Sequence, residues 1–305
     1  MIAEQDMKTT DDLDPIDNIT PIPTAPVGQD KLKINRSIVA GLIFLHVGAL
    51  FGPFTFTWPA FWVFIFLWWL TNGFGICMGY HRLLTHRSFK CPKWFEYFIT
   101  VCAILTSQGG PITWVSTHRL HHAASDKDQD PHSPTKGFWW AHMLWFVYHS
   151  PVLENPEFRQ RYAADLYRDP VHRFLTKYNW AGPWILGTIL FLSGGFPFLV
   201  WGIFVRTVVA LHCTWLVNSA AHTWGYQTYK TGDRSTNCWW VGLLAFGEGW
   251  HNNHHAFHYS AAHGLKWWEF DLTYLMIRFL SRIGVIQSVR LPNAATAANN
   301  KLSRS

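Results

Sequence analysis

The stretch Thr117-His118-Arg119-Leu120-His121-His122 decides the reading of this chain. Its histidines stand at i, i+3 and i+4, positions that share one side of an α-helix. Three imidazoles on one face are expected to converge on a common metal. Two more clusters flank it: His81-Arg82-Leu83-Leu84-Thr85-His86 comes earlier, and His251-Asn252-Asn253-His254-His255 repeats the i, i+3, i+4 spacing later. Neutral imidazole suits Fe, Zn, Cu or Ni. One tetrahedral zinc takes about four ligands, so eight clustered histidines imply two metals. A ninth candidate is His222 in Asn218-Ser219-Ala220-Ala221-His222, with Asn218 one helical turn before it.

Metal-bound histidines need their second nitrogen oriented, often by a carboxylate. Asp126, Asp130 and Glu248 stand closest to the clusters in sequence. His132, in the rigid-looking Asp130-Pro131-His132-Ser133-Pro134, reads as a hydrogen-bonding anchor. The scattered His46, His142, His149, His172, His212, His258 and His263 read as packing residues.

The composition points to a membrane. Of 305 residues only 14% are charged, 17% are aromatic and nineteen are Trp, and Trp gathers at bilayer interfaces. Residues 1–30 carry seven acids and one Lys, about −6, so a chain of net charge +6 holds about +12 in the remainder. That surplus suits anionic lipid headgroups or an acidic protein partner; no nucleic-acid partner is expected. The acidic, Pro-rich residues 1–30 read as a disordered tail and not a signal peptide. Residues 31–290 read as one membrane domain, and 291–305 as a flexible tail. Five scattered cysteines without a C-x-x-C argue against a disulfide framework.

From Ser37 to His81 there is no formal charge. The run has room for two spans of roughly twenty residues each, near 36–54 and 59–79, turning at Gly52-Pro53 and Trp58-Pro59. Lys31, Lys33 and Arg36 precede the pair and Arg82, Arg87, Lys90 and Lys93 follow it, so both outer ends are expected on the cytoplasmic side. Trp94 to Ile112 reads as a buried or interfacial helix. Tyr178 to Tyr229 holds only Arg206 as a formal charge and is broken at Ser193-Gly194-Gly195-Phe196-Pro197, giving two further helices near 181–195 and 198–220. The expected fold is all-α: four transmembrane helices with a cytoplasmic helical cap that holds a two-metal site.

The three histidine boxes, in this order around two pairs of apolar helices, resemble the membrane-bound fatty acyl desaturases. The wording His81-Arg82-Leu83, His118-Arg119-Leu120-His121-His122, Asn218-Ser219-Ala220-Ala221-His222 and Gly247-Glu248-Gly249-Trp250-His251-Asn252-Asn253-His254-His255 is similar to the stearoyl-type Δ9 subgroup. The likeness runs from about residue 36 to 290. It implies a non-haem centre of two Fe ions that uses O2 and two external electrons to place a cis double bond in a saturated C16–C18 chain. It implies nine ligands, His81, His86, His118, His121, His122, His222, His251, His254 and His255, with Asn218 acting through a water. It places Trp215 beside the reacting carbons, and Trp69, Gly73 and Cys77 along the far end of an acyl tunnel with Trp69 as its floor. No fused cytochrome b5-like segment is visible, so a separate electron donor is implied. Wording shared with the acyl-lipid enzymes of photosynthetic bacteria implies ferredoxin as that donor, stearoyl in a membrane glycerolipid as substrate, and a plasma or thylakoid membrane location. A stearoyl-CoA enzyme served by cytochrome b5, or a histidine-box hydroxylase, is the alternative. A transporter would place its ligands near the bilayer midplane, and a haem protein would need only two axial histidines.

Overall fold

The computed structural model describes residues 32–302; the expected tail of residues 1–30 lies outside them. Among the described residues, regular structure is helical apart from isolated bridges. Helix α1, Arg36–Ala49, starts where the Asn35 side chain accepts from Ile38 N. It is shorter than the expected 36–54, and a 3-10 turn at Pro53–Thr55 follows. Helix α2 begins at Trp58, capped by the Thr57 hydroxyl, and runs to Thr85.

From Trp69 to Thr85, α2 unwinds into a π-helix. Its i→i+5 pattern is still visible at the end, where His86 N donates to His81 O at 3.1 Å. Long π-helices are rare and mark functional sites. The winding solves a geometric problem. Five residues along an α-helix turn about 140° away from register, which would point His81 and His86 apart. Here their rings lie 4.8 Å apart. The helix therefore continues past residue 79 and carries the first histidine box at its end, with His86 as its C-cap.

The expected helix from Trp94 to Ile112 is two helices. Helix α3, Lys93–Ile104, ends at the turn Leu105–Gly110, and α4, Pro111–Ala123, carries the second box. Short helical turns lead to Ala181. The segment Ala181–His222 is a second stretch long and apolar enough to cross a membrane, alongside Trp58–Thr85. It is a hairpin: Gly195 takes φ 66°, ψ −155°, and Gly187 comes back against Ile203, 3.5 Å from where a glycine-borne Cβ would sit. Helix α5, Ala181–Leu199, makes the outgoing arm up to the break at Gly195 and begins the return arm beyond it; the return arm goes on to contain α6, Arg206–Ser219. Helix α7, His251–Ala256, carries the third box, and α8, Leu272–Arg282, closes the cap. After Pro292, where flexibility was expected, Ala294–Asn299 is helical and Lys301 bridges to Tyr229.

The surface fits the two apolar segments. Helix α1 has no buried residue, and Ile43, Phe44, Trp184, Ile185 and Leu192 are all exposed. A belt of that kind is costly in water and natural against lipid. Arg206, the one charge in its segment, is fully buried and donates to Gly202 O at 3.0 Å and Leu105 O at 2.6 Å.

Glycine sets the closest approach in the core. A Cβ on Gly75 would lie 2.5 Å from Ala103 N and 2.7 Å from its Cα, backbone atoms of α3 that cannot swing aside. Gly75→Val is expected to destabilise the fold by about 3 kcal/mol, the upper end of ordinary overpacking. The readout is thermal unfolding in detergent together with folded yield; an unchanged midpoint would mean that α2 and α3 can separate freely.

Candidate metal centre

The structure brings nine histidines into two groups, and divides the boxes between them. His81, His86, His118, His122 and His254 form one group; His121, His222, His251 and His255 form the other. Within each group the ligand-type nitrogens lie within 4.8 Å of one another. The expectation that each His-x-x-His-His box serves a common metal is therefore corrected. The i and i+4 residues of a box, about 40° apart around the helix, stay together, whereas i+3 lies about 60° to the other side of i. Box two sends His118 and His122 one way and His121 the other. Box three does the reverse, with His251 and His255 in one group and His254 in the other.

Carboxylates fix which ring nitrogen is bare. The Nδ1 of His121 is 3.0 Å from Asp130 Oδ2, and the Nδ1 of His255 is 2.6 Å from Asp233 Oδ2. Each ring donates its Nδ1–H to the carboxylate, which leaves Nε2 as a lone pair. Yet these two Nε2 atoms face each other at 3.4 Å. With both rings neutral, no proton is left to lie between them. Similar approaches recur between Nε2 atoms of His251 and His255 (3.0 Å), His118 and His122 (3.1 Å), His122 and His254 (3.0 Å), and His81 and His254 (3.1 Å). Two imidazoles each about 2.1 Å from a shared cation would place their nitrogens about 3.0–3.4 Å apart. The donor set fits metal.

Residues 32–282 match the fatty acid desaturase family. This chain belongs to that family. It is 55% identical over 263 residues to an sn-1 stearoyl-lipid 9-desaturase of Anabaena variabilis, covering 86% of this chain and 96% of the relative. An enzyme of the same description from Synechocystis is 47% identical over 271 residues, covering 88% and 84%. A chloroplastic palmitoyl-monogalactosyldiacylglycerol delta-7 desaturase of Arabidopsis thaliana is 48% identical over 257 residues, covering 84% and 69%. The protein is thus a desaturase, an oxidoreductase whose buried histidine clusters suit a two-metal site.

The carboxylates of this desaturase extend beyond those legible in sequence. Glu248 has the Glu-x-x-His spacing to His251, but it turns elsewhere: Oε2 lies 2.5 Å from His81 Nδ1 and 3.0 Å from His263 Nδ1, and Oε1 accepts from Arg82 Nε and Nη2. His263 is therefore part of the support of His81. Arg82 has no exposed surface. It forks onto Asp271 at 3.0 and 2.9 Å and donates to Ala261 O at 2.6 Å. Gly247 is required here, because at φ 115° a Cβ would meet Asp271 and Arg82. Asp130 also accepts from Asp126 N and His132 N. Asp126 Oδ1 is 3.5 Å from His222 Nδ1, and its Oδ2 accepts from Arg234 N. Asp233, 22 residues before His255, has no spacing signal; only the fold brings it there.

Electrostatics hold most of the rings neutral and the acids ionised, while His121 goes the other way: burial lowers it, but Asp130, Asp126 and Asp233 outweigh burial and raise it above the ordinary histidine range. Burial, then the neighbouring imidazoles, hold His118, His122, His251 and His254 well below the ordinary histidine range. Burial pushes His255 down to about 4 against the opposing pull of Asp233. Burial also raises the Glu248 carboxyl, but Arg82, His263 and His81 outweigh it and hold it well below the carboxylate range.

A cavity of about 560 Å³ reaches the site, a size typical of small-molecule pockets. It touches both histidine groups, through His81 and His118 of one and His251 of the other, and it is lined by Asn218, Trp215 and Cys77. Trp69 and Gly73 are not in its lining. Trp69 Nε1 points at Met276 Sδ, 3.1 Å away, and a Cβ on Gly73 would sit 3.0 Å from the Phe246 ring. That stripe packs α2 against the cap.

Asp233→Ala leaves His255 without its acceptor. It is expected to lower metal affinity or turnover about 10–100-fold, whereas replacing exposed Asp128 should change neither. Metal content after dialysis against a graded chelator checks this; full occupancy in Asp233→Ala would sever the pair from the site.

Proposed function

We propose that this desaturase places a cis double bond at the Δ9 position of a stearoyl chain esterified in a membrane glycerolipid. It does so with O2 and electrons from a separate acidic donor of the ferredoxin kind. The observation that carries the reading is the pair of facing nitrogens on His121 and His255, held by Asp130 and Asp233 beside His251, which lines an acyl-sized cavity. The names of the relatives favour a lipid-linked stearoyl substrate and the Δ9 position.

Two iron ions bound there would supply the O2-dependent oxidation of the alkyl chain. His81, His86, His118, His122 and His254 would hold one, and His121, His222, His251 and His255 the other. Asn218, half-buried and lining the cavity, would act on the second through a water. The protein's own work is placement. The largely apolar walls of the cavity flank the chain, carboxylates keep His81, His121 and His255 each in one tautomer, and Trp215 borders the chain near the metals. Helices α1, α2 and the two arms of the hairpin would make four crossings, with the histidine face on the cytoplasmic side. The net charge of +6 suits an acidic donor on that face.

Expression in a host lacking unsaturated fatty acids, followed by double-bond mapping in each lipid class, tests the reading. A Δ9 monoene in glycerolipid is expected; an added oxygen, or a product confined to the CoA pool, would overturn it. His122→Ala should lower turnover by about 100-fold or more together with metal content, while exposed His149→Ala keeps both. Normal turnover in His122→Ala would remove it from the ligand set.

A further inference from the structure

The cavity does not close around its contents. Along α1 it is bounded by Asn35, Ile38, Gly41, Leu42 and Leu45, one stripe of a helix with no buried residue. Gly41 is at once a lining residue and exposed, and a Cβ built on it would meet nothing within 4 Å. The glycine is therefore not there to allow close packing. It is a gap in the wall, halfway along an apolar helix whose outward residues Ile43, Phe44 and Val47 are also exposed. Exposed Ser107 and half-buried Gln108 and Asn179 line the same cavity elsewhere at its surface.

The polar end of the cavity is near neutral. It carries one cation, Arg159, and one anion, Glu154. Glu154 lies 2.8 Å from His149 Nδ1, and Arg159 Nε donates to Leu153 O at 3.0 Å. Such an end is poorly matched to a polyanionic acyl carrier and well matched to an uncharged or zwitterionic headgroup.

A glycerolipid presents a problem that a single-tailed substrate does not. One tail must enter the cavity while the other, joined through the same glycerol, stays in the bilayer. A fully walled tunnel cannot accept it. We infer that the cavity is slit open to the bilayer along α1, with Gly41 as the gap through which a two-tailed lipid keeps its second chain outside. This rests on the glycerolipid reading above.

The test compares one-tailed and two-tailed substrates. Metal-loaded enzyme is assayed in vesicles containing either 1-stearoyl-2-oleoyl-monogalactosyldiacylglycerol or its 1-stearoyl lyso form. Gly41→Leu places a side chain in the gap. It is expected to lower turnover of the two-tailed lipid by about tenfold while the lyso form stays within about twofold, steric discrimination of the ordinary size. Ile43→Leu, on the outward face, should leave both substrates unchanged. An equal fall on both lipids would mean that the substitution only narrows the lumen, and an unchanged two-tailed rate would mean that the gap is unused; either overturns the slit. Wild-type enzyme inert on both vesicle lipids but active on stearoyl-CoA would overturn the glycerolipid reading and the slit with it.

Discussion

Imidazole lone pairs aimed at one another repel, and packing seven rings nitrogen to nitrogen requires some of them to be held from behind. That constraint shapes the cap. Asp130 and Asp233 take the outer N–H of His121 and His255, Asp126 lies behind His222, and Glu248 lies behind His81. A metal removes the repulsion when bound, but the carboxylates prevent the rings from rotating away or trading tautomers beforehand. The cost of burying these acids is offset by partners, as in Glu248, which meets Arg82 on one oxygen and two imidazoles on the other.

The two arginines that follow the first histidine of each early box serve the same end. Arg82 ties the π-helical end of α2 to the loop before the third box and, through Asp271, to the start of α8. Arg119 donates to Leu84 O and Thr85 O at the end of α2, to Tyr162 O, and bidentately to Asp165. Each guanidinium thus fixes the distance between two histidine-bearing segments. Five donors in a rigid fork suit that task where an ammonium would not. In the sequence Arg82 looks like a flanking charge at a membrane surface; its complete burial shows that it belongs to the site's frame.

Much of the site was legible because histidine spacing is local. The clusters, their fitness for a two-metal site and the candidate acids Glu248, Asp126 and Asp130 follow from residues a few positions apart. The partition into groups was less legible, because i, i+3, i+4 looks like one face until the angles around the helix are separated. The π winding of α2 left a trace only in the five-residue spacing of His81 and His86, which an α-helix cannot bring together. Asp233, Asp271 and His263 were invisible, since their roles come from loops folding back across long sequence separations. The hairpin at Gly195 was announced by its glycines and Pro197. The C-terminal pairing of Lys301 with Tyr229 was not, because Ala- and Asn-rich sequence gives no long-range signal.

The methylenes of a fatty acyl chain are chemically alike, so the choice of one carbon pair has to come from distance. The cavity offers such a measure. Its polar end is fixed by Asn35 at the N-cap of α1 and by Glu154 and Arg159; its interior meets His81, His118 and His251. Each additional methylene buried contributes about 0.8 kcal/mol whatever its position, so apolar burial alone holds a chain firmly without choosing its register. Register then depends on the polar end of the cavity and on its bulky walls, where Trp215 is packed under His142 and His212. His142 in turn meets Ser219, whose hydroxyl also donates to Trp215 O. His142 and His212, expected only to pack, therefore brace a side chain that lines the cavity, His212 from α6, the helix that also carries Asn218, and His142 from the turn Trp140–Leu144.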